Sequence, residues 1–246
     1  MDQLAVEVCS VSKTFRSLWR DPRAALRDVS FAVPWGACFG IAGPPGAGKT
    51  TLIGILSARI RPDTGTVKAP PDAVYLSGGS PRLLERLGSF ERRAPNLLVM
   101  DEPLAALNEW TERREAAAAI RRIHEAGWTL LIASCDLGAI GEMCNGLAIL
   151  HRGEILASGR TADLRTGGGC RVAVTALSSG MEETLAASGF LVGAHDGHYW
   201  VASSDRGRLN ELIDRLRAAN VSIESVDDLR PSLEQIYLAA AATKAG

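Results

Sequence analysis

Short apolar runs at 4–9, 26–33 and 37–42 alternate or run together as strands do, and they lead into a Gly-rich loop at 43–49. A helix is predicted to follow over 49–58. Between the first two strands, residues 17–23 carry Trp19, Pro22 and three charged side chains, which predicts a surface loop. Farther along, 97–100 is fully apolar and of strand length. Residues 109–126 predict a helix capped by Asn108 and stopped by Gly127, and 128–134 predicts another buried strand. Strands alternating with helices in this way imply a mostly parallel sheet covered on both faces, the α/β class.

The pattern breaks at Gly167-Gly168-Gly169, a boundary between a first domain at 1–166 and a second at 170–246. Beyond it, strand is predicted over 171–176, helix over 181–188 and strand over 190–195. A tight turn at Asp196-Gly197, a strand at 199–203, a helix at 207–219 and a strand at 221–226 follow. The order β-α-β-β-α-β is that of a ferredoxin-like α+β domain, and 231–241 adds a final amphipathic helix. This part holds no metal cluster or nucleophile constellation, so a structural or regulatory accessory domain is its default reading.

Composition narrows the classes. With 246 residues, 46% hydrophobic and 22% charged, the chain has the make-up of a globular protein of one or two domains. Its 27 basic and 28 acidic residues leave a net charge of -1, so no global field attracts nucleic acid. No run is long enough for a membrane-spanning helix, and Asp2 and Gln3 interrupt any secretion-signal pattern, which places the chain in the cytoplasm. Cys9, Cys38, Cys135, Cys144 and Cys170 are odd in number and contain no CxxC pair, arguing for reduced, mostly packed thiols.

Two stretches carry chemistry. Gly43-Pro44-Pro45-Gly46-Ala47-Gly48-Lys49-Thr50, followed by Thr51, fits GxxxxGK[ST] between a predicted strand and a predicted helix. The glycines let the backbone curl its N–H groups toward phosphates, Lys49 neutralises their charge, and Thr50 offers a hydroxyl to Mg²⁺. Leu97-Leu98-Val99-Met100-Asp101-Glu102-Pro103 places two carboxylates at the end of a buried strand, where α/β sheets bind ligands. Asp101 suits a Mg²⁺ ligand and Glu102 a general base that polarises water.

With these motifs in place, the chain resembles the ATP-binding subunits of ABC transporters. The resemblance also rests on Val29-Ser30-Phe31, Arg61-Pro62-Asp63-Thr64-Gly65-Thr66-Val67, and Arg152-Gly153-Glu154-Ile155 followed by Gly159. It implies a P-loop ATPase core with an N-terminal antiparallel β subdomain, and ATP and Mg²⁺ as cofactors. Phe15 falls where the family places its adenine-stacking aromatic, although a core or loop phenylalanine fits the residues as well. Pro231-Ser232-Leu233-Glu234-Gln235-Ile236-Tyr237-Leu238 resembles the C-terminal extension of ABC-2 type exporter ATPases, implying export.

The chain also departs from the family. Lys49 and Asp101 are only 52 positions apart, so most of the family's helical subdomain, near 70–95, is missing. Leu76-Ser77-Gly78-Gly79-Ser80 resembles the signature that caps a partner's γ-phosphate, with Ser80 and Pro81 opening a helix. A rival alignment makes 74–76 the strand entering the glutamine loop, with Ser77 and Gly78 where the family has Pro and Gln. A plain Gly-Gly turn is the third alternative, and in every case the Mg²⁺-sensing glutamine is gone. Cys135 stands at the position of the switch histidine, and Asn108 where the family has Asp. His124, His151, His195 and His198 are expected to be solvated. Two functions remain open: a transport ATPase paired with a second, complete ABC ATPase and separate membrane subunits, or a degenerate subunit that binds ATP with little turnover. Either way, the resemblance implies a peripheral position on the inner face of the cell membrane.

Overall fold

Two long strands, β1 (Leu4–Ser17) and β2 (Arg20–Pro34), open the chain as an antiparallel pair running from Leu4 opposite Pro34 to Ser17 opposite Arg20. The computed structural model describes residues 3–17, 20–78, 83–90, 96–105, 107, 109–165, 169–195, 198–203, 205–229 and 231–243. The loop predicted over 17–23 is therefore a correction: 20–23 belong to β2. The physical reason is position. β2 is the edge of a three-stranded sheet in which β1 lies between it and a strand at Thr64–Lys68, and at an edge Pro22 removes no shared ladder bond while charged side chains face water.

The remaining elements follow in order. β3 (Cys38–Ala42) leads into α1 (Lys49–Leu56), then β4 (Thr64–Lys68), β5 (Val74–Ser77), α2 (Leu83–Phe90), β6 (Leu97–Asp101), α3 (Trp110–Glu125), β7 (Thr129–Ser134) and α4 (Leu137–Met143). β8 (Gly146–His151), β9 (Glu154–Arg160) and the short α5 (Thr161–Leu164) complete this stretch. The main sheet has the order β5-β6-β7-β3-β8-β9, parallel throughout except for β9, which pairs antiparallel with β8.

Side-chain alternation along these strands builds two cores. Phe39, Ile41, Leu97, Val99, Leu131, Ala133, Ala148 and Leu150 face α1 and the antiparallel sheet. Leu98, Met100, Leu130, Ile132, Leu147 and Ile149 face α2, α3 and α4. A strand buried on both faces has no polar positions, which is why these segments read as continuous apolar runs. Each leucine so enclosed stabilises the fold by about 1.5–3 kcal/mol relative to exposure. Between β5 and β6 the described residues hold one helix, α2, which buries Leu83, Leu87 and Phe90; Gly79, Ser80 and Pro81 lie outside the described residues, as does Asn108.

The second part is built from β10 (Gly169–Val174), α6 (Ser179–Ala187), β11 (Leu191–His195), β12 (His198–Ser203), α7 (Leu209–Ala218) and β13 (Ile223–Leu229). Its sheet order, β11-β12-β10-β13, with every neighbour antiparallel, is the ferredoxin-like arrangement expected from the order of elements. Val172, Val174, Leu185, Val201, Leu212 and Leu216 form its own core; the expected turn at Asp196-Gly197 is outside the described residues.

The chain divides into one unit of Met1–Leu164 with Leu233–Gly246 and another of Arg165–Ser232. The last helix, α8 (Leu233–Thr243), thus differs from the expected 170–246 grouping by returning to the first unit. Leu233 is fully buried in the first unit's core, and the Tyr237 hydroxyl and His151 Nδ1 are hydrogen-bonded at 2.8 Å. His151 is therefore a partnered side chain, not the solvated one expected, and His124 Nε2 meets the Gly36 carbonyl at 2.9 Å. The side chains of His195 and His198 are not among those described. Among the described residues no helix is long and apolar enough to cross a membrane.

Candidate nucleotide site

The parallel topology brings the ends of four strands to one edge of the sheet. β7 lies between β3 and β6, with Ala42 opposite Ser134 and Asp101 opposite Ala133, while β5 sits outside β6 with Ser77 opposite Asp101. The loop leaving β3, the carboxylates leaving β6 and the Ser134-Cys135 end of β7 are therefore neighbours although far apart in sequence.

The loop Gly43-Pro44-Pro45-Gly46-Ala47-Gly48 needs its glycines. A Cβ at Gly43 would overlap the Leu150 carbonyl oxygen, and Gly48, at φ +113°, would bring one to 2.5 Å from the Ala25 carbonyl oxygen. α1 then starts at Lys49 with no side-chain cap, so its first N–H groups remain available to an anion. Lys49 is 5% exposed, and its ammonium donates to the carbonyls of Gly43 at 2.7 Å and Pro44 at 3.2 Å. It also forms an ion pair with Glu102 Oε1 at 3.2 Å.

Asp101 ends β6 as a half-buried carboxylate. Burial pushes its pKa above the ordinary carboxylate value, opposed by a hydrogen bond from Thr50, while the neighbouring charge of Glu102 pushes it up further. Its Oδ1 is buried with no hydrogen-bond partner among the described residues. Glu102 leaves the strand in the left-handed region at φ +50°, anchored by its N–H to the Ala133 carbonyl at 2.8 Å. A non-glycine residue held there stores about 1–3 kcal/mol, and the turn aims its carboxylate back over the loop. Glu102 Oε2 accepts from Ser134 Oγ at 3.2 Å and from the Cys135 N–H at 3.1 Å.

Of the signature-like residues, Leu76 is a buried core residue of β5 and Ser77 is paired beside Asp101. The Gly78 N–H bonds to the Asp101 carbonyl, and a Cβ on Gly78 would collide with the Glu102 carbonyl oxygen. Gly79 lies outside the described residues. Leu76 and Ser77 thus lie in the sheet next to the carboxylates, with Gly78 just beyond the strand. Cys135 follows β7 beside Glu102, and burial, then the Glu102 charge, raise its thiol pKa.

A cleft of about 400 Å³ opens over the loop, lined by Phe15, Arg23, Ala25, Pro45, Gly46, Gly48, Lys49, Thr50, Thr51 and Glu102. Phe15 is 44% exposed and so faces the cleft rather than a core. Pro44 and Ala47 shape the loop beneath, Ala47 at 2% exposure. Arg23 and Ala25 had no part in the sequence expectations. The hairpin register, with Arg23 opposite Phe15, brings them in, and a hydrophobic pattern interrupted by Pro22 hides that register.

The family described as ABC transporter matches residues 26–82. An uncharacterized ABC transporter ATP-binding protein of Synechocystis sp. is 26% identical over 306 residues, covering 95% of this chain and 83% of that protein. Because that alignment is longer than this chain, the relative carries segments that the chain lacks. The daunorubicin/doxorubicin resistance ATP-binding protein DrrA of Streptomyces peucetius is 24% identical over 290 residues, covering 87% of each. A nucleotide-free ATP-binding cassette from an ABC transporter has the same fold, with a TM-score of 0.52 at 18% identity over 64% of this chain and 92% of that one. The loop, the paired carboxylates and the shared sheet agree with these similarities: residues 26–82 match the ABC transporter family, and the chain is similar to ABC transporter ATP-binding proteins over most of its length.

Proposed function

We propose that this chain binds Mg²⁺-ATP in the cleft over Gly43–Thr50 and hydrolyses it, as one subunit of an exporter, in partnership with a second ATPase subunit. The observation that carries the reading is the convergence of Lys49, Thr50 and Glu102 on the cleft, with Asp101 hydrogen-bonded to Thr50. Lys49 exchanges loop carbonyls for phosphate oxygens, and the uncapped start of α1 adds its N–H groups and dipole. The hydroxyl of Thr50 beside a buried carboxylate with one unpartnered oxygen fits a magnesium ion, which when bound supplies positive charge to the phosphates. Glu102, held by Ser134 and Cys135, accepts the proton of an attacking water. Phe15, at the cleft mouth, stacks on the base.

Export is supported by the C-terminal resemblance and by the resistance protein among the relatives. Work by separate membrane subunits, and a peripheral place at the membrane, follow from that reading. A complete partner ATPase is favoured because a symmetric pair would lack the sensing glutamine and the switch histidine at both sites. The second reading, a subunit that holds ATP with little turnover, is favoured by Cys135 at the switch position, whose neutral thiol is a weak donor to phosphate.

Calorimetry on the folded chain tests the reading. Mg²⁺-ATP binds the wild type, and Lys49→Ala weakens binding at least about tenfold, the equivalent of about 1.4 kcal/mol. A folded wild type that binds no nucleotide overturns it.

A further inference from the structure

We infer that Arg23 is a nucleotide-binding residue of the cleft, a second cation besides Lys49 that grips the phosphate chain. The inference rests on the nucleotide reading above and adds a residue to it.

Three observations carry it. First, placement: Arg23 and Ala25 of β2 both line the cleft. The Ala25 carbonyl lies so close to Gly48 that this strand segment packs on the phosphate-binding loop itself. Second, aim: a Cβ placed on Gly46 would lie 3.4 Å from Arg23 Nη2, so the exposed guanidinium reaches over the loop. Third, availability: three other cations of this sheet are paired, Lys13 with Asp63 at 2.8 Å, Lys68 with Glu7 at 2.8 Å and Arg27 with Glu154 at 3.9 Å. Arg23 has no carboxylate partner among the described residues. An arginine fork held over a Gly-rich loop without an anion of its own is suited to phosphate, which it meets through two parallel N–H donors. Phe15, directly opposite Arg23 in the ladder, shares its face, so one cross-strand pair supplies an apolar surface and a cation to the same ligand.

Displacement of a fluorescent ATP analogue from the full chain by ATP and by tripolyphosphate, which has the phosphates without the base, tests this. Arg23→Ala weakens both about tenfold, and Arg23→Lys, which keeps the charge but not the fork, recovers part of the loss for both. Unchanged ATP affinity in Arg23→Ala overturns the inference and leaves the nucleotide reading standing, whereas a wild type that binds neither competitor removes both. A loss for ATP alone, with tripolyphosphate unaffected, overturns it by placing Arg23 against base or ribose. Thermal melting checks the fold. Should Arg23→Ala and Arg23→Gln both fail to fold, Arg23 is a structural residue and the inference is overturned.

Discussion

Lys49 Nζ lies 3.2 Å from Glu102 Oε1, so the cation proposed for phosphate and the carboxylate proposed as base hold each other. Both are shielded, with side-chain exposures of 6% and 26%, so the pair is less screened than a surface ion pair. On the proposed reading, phosphate draws Lys49 away and frees Glu102 to accept a proton.

Glu102→Gln removes the competing charge while keeping the shape of the side chain. The expected result is twofold: Mg²⁺-ATP binds a few-fold to about tenfold more tightly, and hydrolysis falls by about 10² to 10⁴, the usual contribution of a positioned general base. Calorimetry and single-turnover assays on the same preparation check both. Weaker ATP binding in this variant would show that Glu102 does not compete for Lys49.

Asp101 makes the fold's stability depend on pH in a definite direction. Burial raises its pKa above the ordinary 3.8, so the folded chain holds this proton more tightly than the unfolded one. The sign follows: its contribution is fully favourable below that ordinary value and is lost as pH rises through the raised folded pKa. Asp101→Asn, which cannot ionise, is expected to melt at the same temperature as the wild type at low pH and higher than it at pH 7, while losing Mg²⁺-dependent ATP binding. Melting curves across pH without nucleotide decide it. A variant less stable at neutral pH would mean that the ionised carboxylate is stabilised by its neighbours.

At the switch position, Cys135→His is expected to raise turnover at this chain's site. Phosphoryl transfer is accelerated mainly by positioning and by charge around the γ-phosphate, and the neutral thiol supplies little of either. The measurement is single-turnover hydrolysis in the partnered complex with the partner's own base disabled. Wild-type turnover as fast as that of a complete site would end the low-turnover reading.

α8 is expected to stabilise the first unit although it follows the second in sequence. Leu233 is fully buried there, so Leu233→Ala should cost about 2–5 kcal/mol. Tyr237→Phe, which removes only the hydrogen bond to His151, should cost about 0.5–1.5 kcal/mol. Urea unfolding of the two variants gives both numbers. A neutral Leu233→Ala would mean that α8 does not belong to this core.

The residues of the candidate site were legible in the sequence wherever their roles are set locally. A Gly-rich loop between strand and helix has few uses other than phosphate binding, and an apolar run ending in two carboxylates places them at the ligand edge of a parallel sheet. The β-α-β-β-α-β order after Gly169 likewise implied its sheet, because crossover rules leave few topologies. Relations that depend on contacts distant along the chain were not legible. Pro22 and its charged neighbours imitate a loop, and only edge pairing with β1 makes them strand and brings Arg23 beside Phe15. Leu76-Ser77-Gly78 fits a signature, a strand or a turn by composition, and only pairing with β6 makes Leu76 and Ser77 strand. The amphipathic 231–241 segment announces a helix but not the core it fills, because period specifies a buried face and not its partner. Local chemistry was written in neighbouring residues, and strand register and helix docking arose only when distant segments competed to bury the same surface.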